Sequence, residues 1–351
     1  MSDILVKSEQ ELSDLNHLIN KKIPHYRQAY SDRTSWIMAC LSELAYIKFN
    51  EPFFDTKNQK LIDSISTLID EEKIESLKKL YEMYAYDSEK ERKTLVKELN
   101  LFNMSIDKTF DKNGSQAMIV SNENFYVLAF RGTEVYSMQD IKADLNAKTV
   151  VCESGGNVHK GFDEAFAQLH ADIQDYLDDD IQDKKPLFIT GHSLGGALAT
   201  IATKKLSFKH GIAGCYTFGS PRVGDEEWMS DIKTPIYRLV NSADPVTMLP
   251  LGADTINLTS WAVKFIPYVG KRISSYLQSN FSGYYHAGYM RYITDVDNSD
   301  YKESKLLYSA SFMRRMKAYV SKVSFKKIPA DHSITVYRKK LKFIALDRNK
   351  G

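Results

Sequence analysis

The apolar run Leu187-Phe-Ile-Thr190 stops at Gly191, and a serine follows two positions later. A small-residue helical pattern, Leu194-Gly-Gly-Ala-Leu-Ala199, then begins at once. Few folds accommodate this order. A short apolar run closed by glycine reads as a buried strand, and the residues after it read as a helix. Strand and helix can cross at so sharp a turn only where side chains are missing, and Gly191 and Gly195 flank Ser193 on both sides. This is the G-x-S-x-G arrangement, which holds a serine hydroxyl out from a strained turn. An ordinary turn between strand and helix can carry the same letters. The flanking pattern, more than the pentapeptide, favours a presented serine.

Strands and helices alternate around this turn. Gln116–Val120 and Phe125–Phe130 have strand periodicity, with turn residues Asn122-Glu-Asn124 between them. A helix is expected from Leu194 through Phe208, followed by strands at Gly214–Phe218 and Pro235–Val240. Such alternation implies an α/β fold with a mostly parallel central sheet flanked by helices. Residues 1 to about 105 read as helices instead. In Thr34–Tyr46 one face carries Ile37, Cys40, Leu41, Leu44 and Ala45, and Leu61–Tyr84 and Glu91–Leu101 repeat the helical period. The expected organisation is a helical N-terminal extension, 1–105, packed on a main domain, 106–345. That domain carries an insertion at about 251–283.

The 47 basic and 45 acidic side chains leave a net charge of +2, and no concentrated basic face of the kind a nucleic-acid partner requires. Cys40, Cys152 and Cys215 are scattered without metal-ligand spacing, so neither a metal site nor a disulfide framework is expected. Small buried thiols of this kind suit a reducing compartment. The first residues lack a basic stretch followed by an apolar core, and no segment approaches the ~18 continuous apolar residues of a membrane span. A cytoplasmic location is expected, with leaderless export left open.

A serine hydroxyl becomes a useful nucleophile only when a positioned base takes its proton, and the base needs a carboxylate to orient it. In chains with this elbow the order is serine, acid, histidine. Asp244 sits just past the apolar strand Pro235–Val240, at the sheet edge where open α/β sheets build their sites. Two histidines lie downstream of it, His286 and His332. Two backbone N–H groups must also face the developing oxyanion. Leu194 supplies the first by position. The strand end Ala129-Phe-Arg-Gly-Thr133 offers Thr133 as the second, although a plain glycine turn reads the same way.

Six motifs in order resemble the class 3 lipases. They are Phe130-Arg-Gly-Thr133, Val158-His-Lys-Gly-Phe162, Gly191-His-Ser-Leu-Gly-Gly196, Phe218-Gly-Ser-Pro-Arg-Val-Gly224, Asn241-Ser-Ala-Asp-Pro-Val246 with Leu249-Pro250, and Tyr285-His-Ala-Gly288. The resemblance covers roughly residues 115–340. It implies an α/β-hydrolase-like fold and a serine carboxylic-ester hydrolase acting on acyl lipids, triacylglycerol or a related glycerolipid, without cofactor. A phospholipase A is the alternative enzyme, and a catalytically inactive lipid-binding scaffold the alternative of another class. It further implies Ser193 as nucleophile, Asp244 as acid, and Thr133 with Leu194 as oxyanion donors. For the base it favours His332, in Ile328-Pro-Ala-Asp-His-Ser-Ile-Thr-Val-Tyr337, over His286. His286, His192 and Tyr285 are then expected near the site or its substrate.

Two segments bear on how a lipid would reach the serine. In Glu134–Leu145, Val135, Met138, Ile141 and Leu145 recur at helical spacing, as a movable cover or a fixed surface helix would. In Ser260–Leu277, Trp261, Phe265, Val269, Ile273 and Leu277 form one stripe beside Lys264, Lys271 and Arg272. That composition suits transient contact of residues 260–281 with a membrane surface, or packing on the core.

Overall fold

The computed structural model describes residues 2, 4–20, 23–25, 28–48, 59–74, 86–132, 149–152, 155–181, 183–250, 271, 283–296, 301–311, 314–315 and 328–348. Helices come first. Among the described residues α1 (Glu9–Ile19), α2 (Asp32–Leu44), α3 (Gln59–Asp70) and α4 (Ser88–Asn100) precede any strand. Ser8, Ser31 and Asp87 cap α1, α2 and α4, each side chain accepting a hydrogen bond from an N–H three residues on. The helix expected over Leu61–Tyr84 stops at Asp70, before a turn in which Glu72 takes a φ of 51°. Residues 75–85 lie outside the described residues.

The strands follow: β1 (Ser105–Lys112), β2 (Ser115–Ser121), β3 (Tyr126–Phe130), β4 (Thr149–Val151) and β5 (Asn157–His159). Next come helix α5 (Lys160–Asp175), β6 (Leu187–His192), α6 (Leu194–Lys205), β7 (Ile212–Phe218), α7 (Glu226–Ser230) and β8 (Ile236–Asn241). The chain continues through β9 (Tyr289–Ile293), β10 (Leu306–Leu307), α8 (Ile328–His332) and α9 (Ile334–Arg348). α6 ends at Lys205, one turn short of the expected Phe208.

Among the described residues one eight-stranded sheet runs in the order β1-β2-β3-β6-β7-β8-β9-β10. Strands β3, β6, β7, β8 and β9 pair in parallel, and the antiparallel pairs lie at the two edges. The fold is therefore α/β-hydrolase-like, a mostly parallel sheet with helices on both faces. Alternate strand residues feed two cores. Val127, Ala129, Phe188, Tyr216, Phe218 and Leu239 pack with α2 and α9. Leu128, Phe130, Ile189 and Cys215 pack on the opposite face with α5 and α6. Burial on both faces explains why the central strands read as continuous apolar runs.

Cys40 and Cys215 are buried, Cys152 is partly so, and none of the three forms a disulfide. No helix among the described residues is long and apolar enough to cross a membrane.

Candidate active site

The parallel order of β6, β7 and β8 brings their C-terminal ends to one edge, and the chemistry-bearing residues collect there. β6 runs straight into α6, and Ser193 at the junction takes φ 57°, ψ −125°, a region non-glycine residues seldom occupy. The crossing is tight. A Cβ on Gly191 would lie 2.1 Å from the Gly195 carbonyl oxygen. The turn leaves Ser193 beside the N-terminus of α6, where the first N–H groups have no intrahelical acceptor and the helix dipole is positive.

Asp244 lies three residues beyond β8, and His332 ends α8. His332 Nε2 is 2.8 Å from Ser193 Oγ, and its Nδ1 is 3.0 Å from both carboxylate oxygens of Asp244. A carboxylate only accepts, so Nδ1 carries the proton and Nε2 presents its lone pair to the serine hydroxyl. All three side chains are buried. The structure thus brings Ser193, Asp244 and His332 into one relay and leaves His286 outside it.

The acid is itself held. Asp244 Oδ1 accepts from the Val246 N–H at 3.0 Å, and Oδ2 accepts from the Tyr337 hydroxyl at 2.7 Å. Tyr337 in turn accepts from the Asn241 N–H at 2.9 Å. Burial first, then the charge of Asp244, pushes the Tyr337 phenol well above its usual pKa, so it stays a donor. In the sequence Tyr337 entered only as the end of the segment that carries His332. A tyrosine among Ile334 and Leu341 is the signal that could have been used, because a buried phenol needs a partner.

His192 serves the base. Its Nε2 donates to the His332 carbonyl at 2.6 Å, so its Nδ1 accepts from the Tyr46 hydroxyl at 2.8 Å. Burial, and then proximity to His332, hold its pKa well below 6.5, which keeps the ring neutral as this pairing requires. Tyr46 follows α2; a Cβ on Gly132 would lie 2.2 Å from its hydroxyl and 2.6 Å from the His192 backbone carbonyl oxygen, which cannot rotate away, so only glycine fits that strand end. The chain after β3 therefore passes directly against the His192 carbonyl and the elbow. Thr133, the second expected oxyanion donor, lies outside the described residues, as do 134–145 and almost all of 251–283. Leu194 is the first residue of α6.

His286 braces the acid turn from below. Its Nε2 donates to the Thr247 carbonyl at 2.7 Å, and the Thr247 hydroxyl donates to the Asp244 carbonyl at 2.9 Å. Burial, followed by the charges of Arg238 and Arg222, keeps this imidazole neutral, with a pKa well below the usual value. Tyr285 does not join the serine. It is half-exposed in a cleft of about 820 Å³ with Lys233, Tyr289 and Arg291, and neither Ser193 nor His332 lines that cleft.

The family model "Lipase (class 3)" matches residues 127–253, which contain the elbow and the acid turn. Residues 127–253 belong to the class 3 lipase family. A secreted mono- and diacylglycerol lipase 1 from Fusarium solani is 37% identical over 109 residues, 29% of this chain and 32% of that protein. The toxin TseL of Vibrio cholerae is 27% identical over 265 residues, 62% of this chain and 40% of the toxin. The chain thus spans well under half the length of these curated relatives. Against the solved Rhizomucor miehei lipase propeptide complex the TM-score is 0.47 at 24% identity, covering 67% of this chain and 70% of that one.

Proposed function

We propose that the protein is a serine carboxylic-ester hydrolase acting on acyl esters of lipids, triacylglycerol or related glycerolipids. The hydrogen-bonded relay from Asp244 through His332 to Ser193 is the observation that carries this reading. In the proposed cycle His332 Nε2 takes the Ser193 proton as Oγ attacks the ester carbonyl. Asp244 stabilises the imidazolium, which then protonates the leaving alcohol. Water, activated by the same imidazole, releases the fatty acid from the acyl-enzyme. The Leu194 N–H, at the positive end of α6, supports the tetrahedral oxyanion, with Thr133 proposed as the second donor. The names of the relatives, mono- and diacylglycerol lipase among them, support a lipid ester as substrate.

A fluorophosphonate probe tests the reading. Covalent labelling of the native chain is expected, and it disappears in Ser193→Ala. A native chain that stays unlabelled would instead identify a catalytically silent scaffold.

Delivery of the substrate is proposed to involve a lipid surface met by residues 260–281. The aromatic and cationic composition of Ser260–Leu277 supports it. Trp261→Ala with Phe265→Ala is expected to lower hydrolysis of vesicle or emulsion substrates while soluble short-chain esters are cleaved as before. Equal loss on both substrates would remove the interfacial role.

A further inference from the structure

The base reaches the serine from outside the sheet. His332 ends α8, so its backbone takes no part in the strand ladder. Its placement matters, because shifting a reacting group by about 1 Å can cost roughly 10²-fold in rate. Two consecutive carbonyls of its segment are pinned, each from the end of a different strand. The His332 carbonyl accepts from the ring of His192, the last residue of β6. The Asp331 carbonyl accepts at 2.8 Å from Nδ2 of Asn241, the last residue of β8, and Asp331 Oδ1 accepts from the same nitrogen at 3.1 Å.

Asn241 is buried, and the direction of its amide is set by chemistry. Oδ1 accepts from Lys340 Nζ at 2.7 Å and from the Ser242 N–H at 3.1 Å. An ammonium only donates and a carbonyl only accepts, so Oδ1 must face Lys340 and Nδ2 must face Asp331. A flipped amide would set its NH₂ against Lys340 and leave the Asp331 carbonyl without this donor. Lys340 is buried on α9 and also donates to the Thr294 carbonyl at 3.2 Å. The main chain of Asn241 meanwhile serves the acid. Its N–H donates to the Tyr337 hydroxyl oxygen at 2.9 Å, and its carbonyl accepts from the Asp244 N–H at 3.2 Å.

We propose that Asn241 is the positioning residue of the relay: its side chain places His332, its main chain places Asp244, and Lys340 fixes the direction of its amide. The inference rests on the proposed hydrolytic function. Asn241 meets no reacting atom, since its side chain ends on Asp331, Ser242 and Lys340. It acts by setting where the imidazole stands between Ser193 Oγ and the Asp244 carboxylate. Because acid and base are held through different atoms of one residue, a change confined to its side chain disturbs the base and spares the acid.

The experiment compares the full native chain with Asn241→Leu and Lys340→Met. Leucine keeps nearly the same side-chain shape and removes the amide, while both main-chain bonds at position 241 stay available. Titration with a fluorophosphonate counts competent serines, and kcat for a soluble short-chain ester is expressed per labelled site. Asn241→Leu is expected to label to completion but more slowly, with kcat per labelled site about 10²-fold lower and KM little changed. Lys340→Met lets the amide turn and should show the same loss in smaller measure. A merely structural role would instead lower Tm or the number of labelled sites, each turning over at the native rate, and that result overturns the proposal. If Asn241→Leu does not fold, Lys340→Met decides alone. A native kcat per site then overturns the proposal, and a reduced kcat with unchanged KM upholds it. A native chain that neither labels nor hydrolyses overturns the hydrolytic reading and this inference with it. An active chain indifferent to both substitutions overturns the inference alone.

Discussion

Asp244→Asn is expected to lower kcat for a soluble ester by about 10⁴-fold, with KM little changed. The carboxylate accepts from His332 Nδ1, the Val246 N–H and the Tyr337 hydroxyl, and it is 2% exposed. An asparagine amide in the same place can turn its NH₂ toward His332, which then keeps its proton on Nε2 and has no lone pair for Ser193. It also leaves the imidazolium of the transition state without a counter-charge in a buried setting. Steady-state kinetics on a short-chain ester provide the measurement, and kcat and kcat/KM should fall together. A loss smaller than about tenfold would move the acid elsewhere. Asp331, already bonded by Asn241, would be the first place to look.

Gly191→Ala is expected to cost about 4 kcal/mol or more, in the range reserved for severe overpacking. The new methyl would meet the Gly195 carbonyl oxygen at 2.1 Å and its carbon at 2.3 Å. Both atoms belong to the backbone of α6, so no side chain can rotate away. Relief requires β6 and α6 to separate, which opens the core formed by Ile189, Ala197 and Leu198. A Tm lower by roughly 10 °C is expected in thermal unfolding. Gly214→Ala is the control, because its methyl would make ordinary contacts at 3.6 Å and beyond. If the two variants melt alike, close crossing at the elbow is not what holds this turn.

The elbow was legible because its requirements are local. Strand, glycine, serine and helix lie within thirteen consecutive residues, and each carries its own compositional mark. The relay was legible for a different reason: chain order left two histidines after Asp244, and the resemblance to the class 3 lipases favoured His332. β1 was missed. Within Ser105–Lys112 only Phe110 is buried, so an exposed edge strand leaves no apolar alternation to detect. β9 was missed because Arg291 interrupts its apolar residues. That arginine is accommodated by stacking against Tyr30, Tyr237 and Tyr308, which come from elsewhere in the chain. The roles of Tyr46 and Tyr337 were hidden for the same reason. Tyr46 meets a residue 146 positions away and Tyr337 one 93 positions away, and no periodic pattern records such pairings.

The base belongs to a segment that follows all eight described strands of the sheet. Its second helix, α9, seats on α2, where Glu43 accepts from Thr335 at 2.6 Å and pairs with Arg338. That segment supplies both the imidazole that Ser193 needs and the Tyr337 hydroxyl that holds the Asp244 carboxylate. Ser193 therefore has its base only where α8 and α9 are docked. Assembly of the relay is thus coupled to the seating of α9 on α2, where the contact of Thr335 with Glu43 spans 292 positions of sequence.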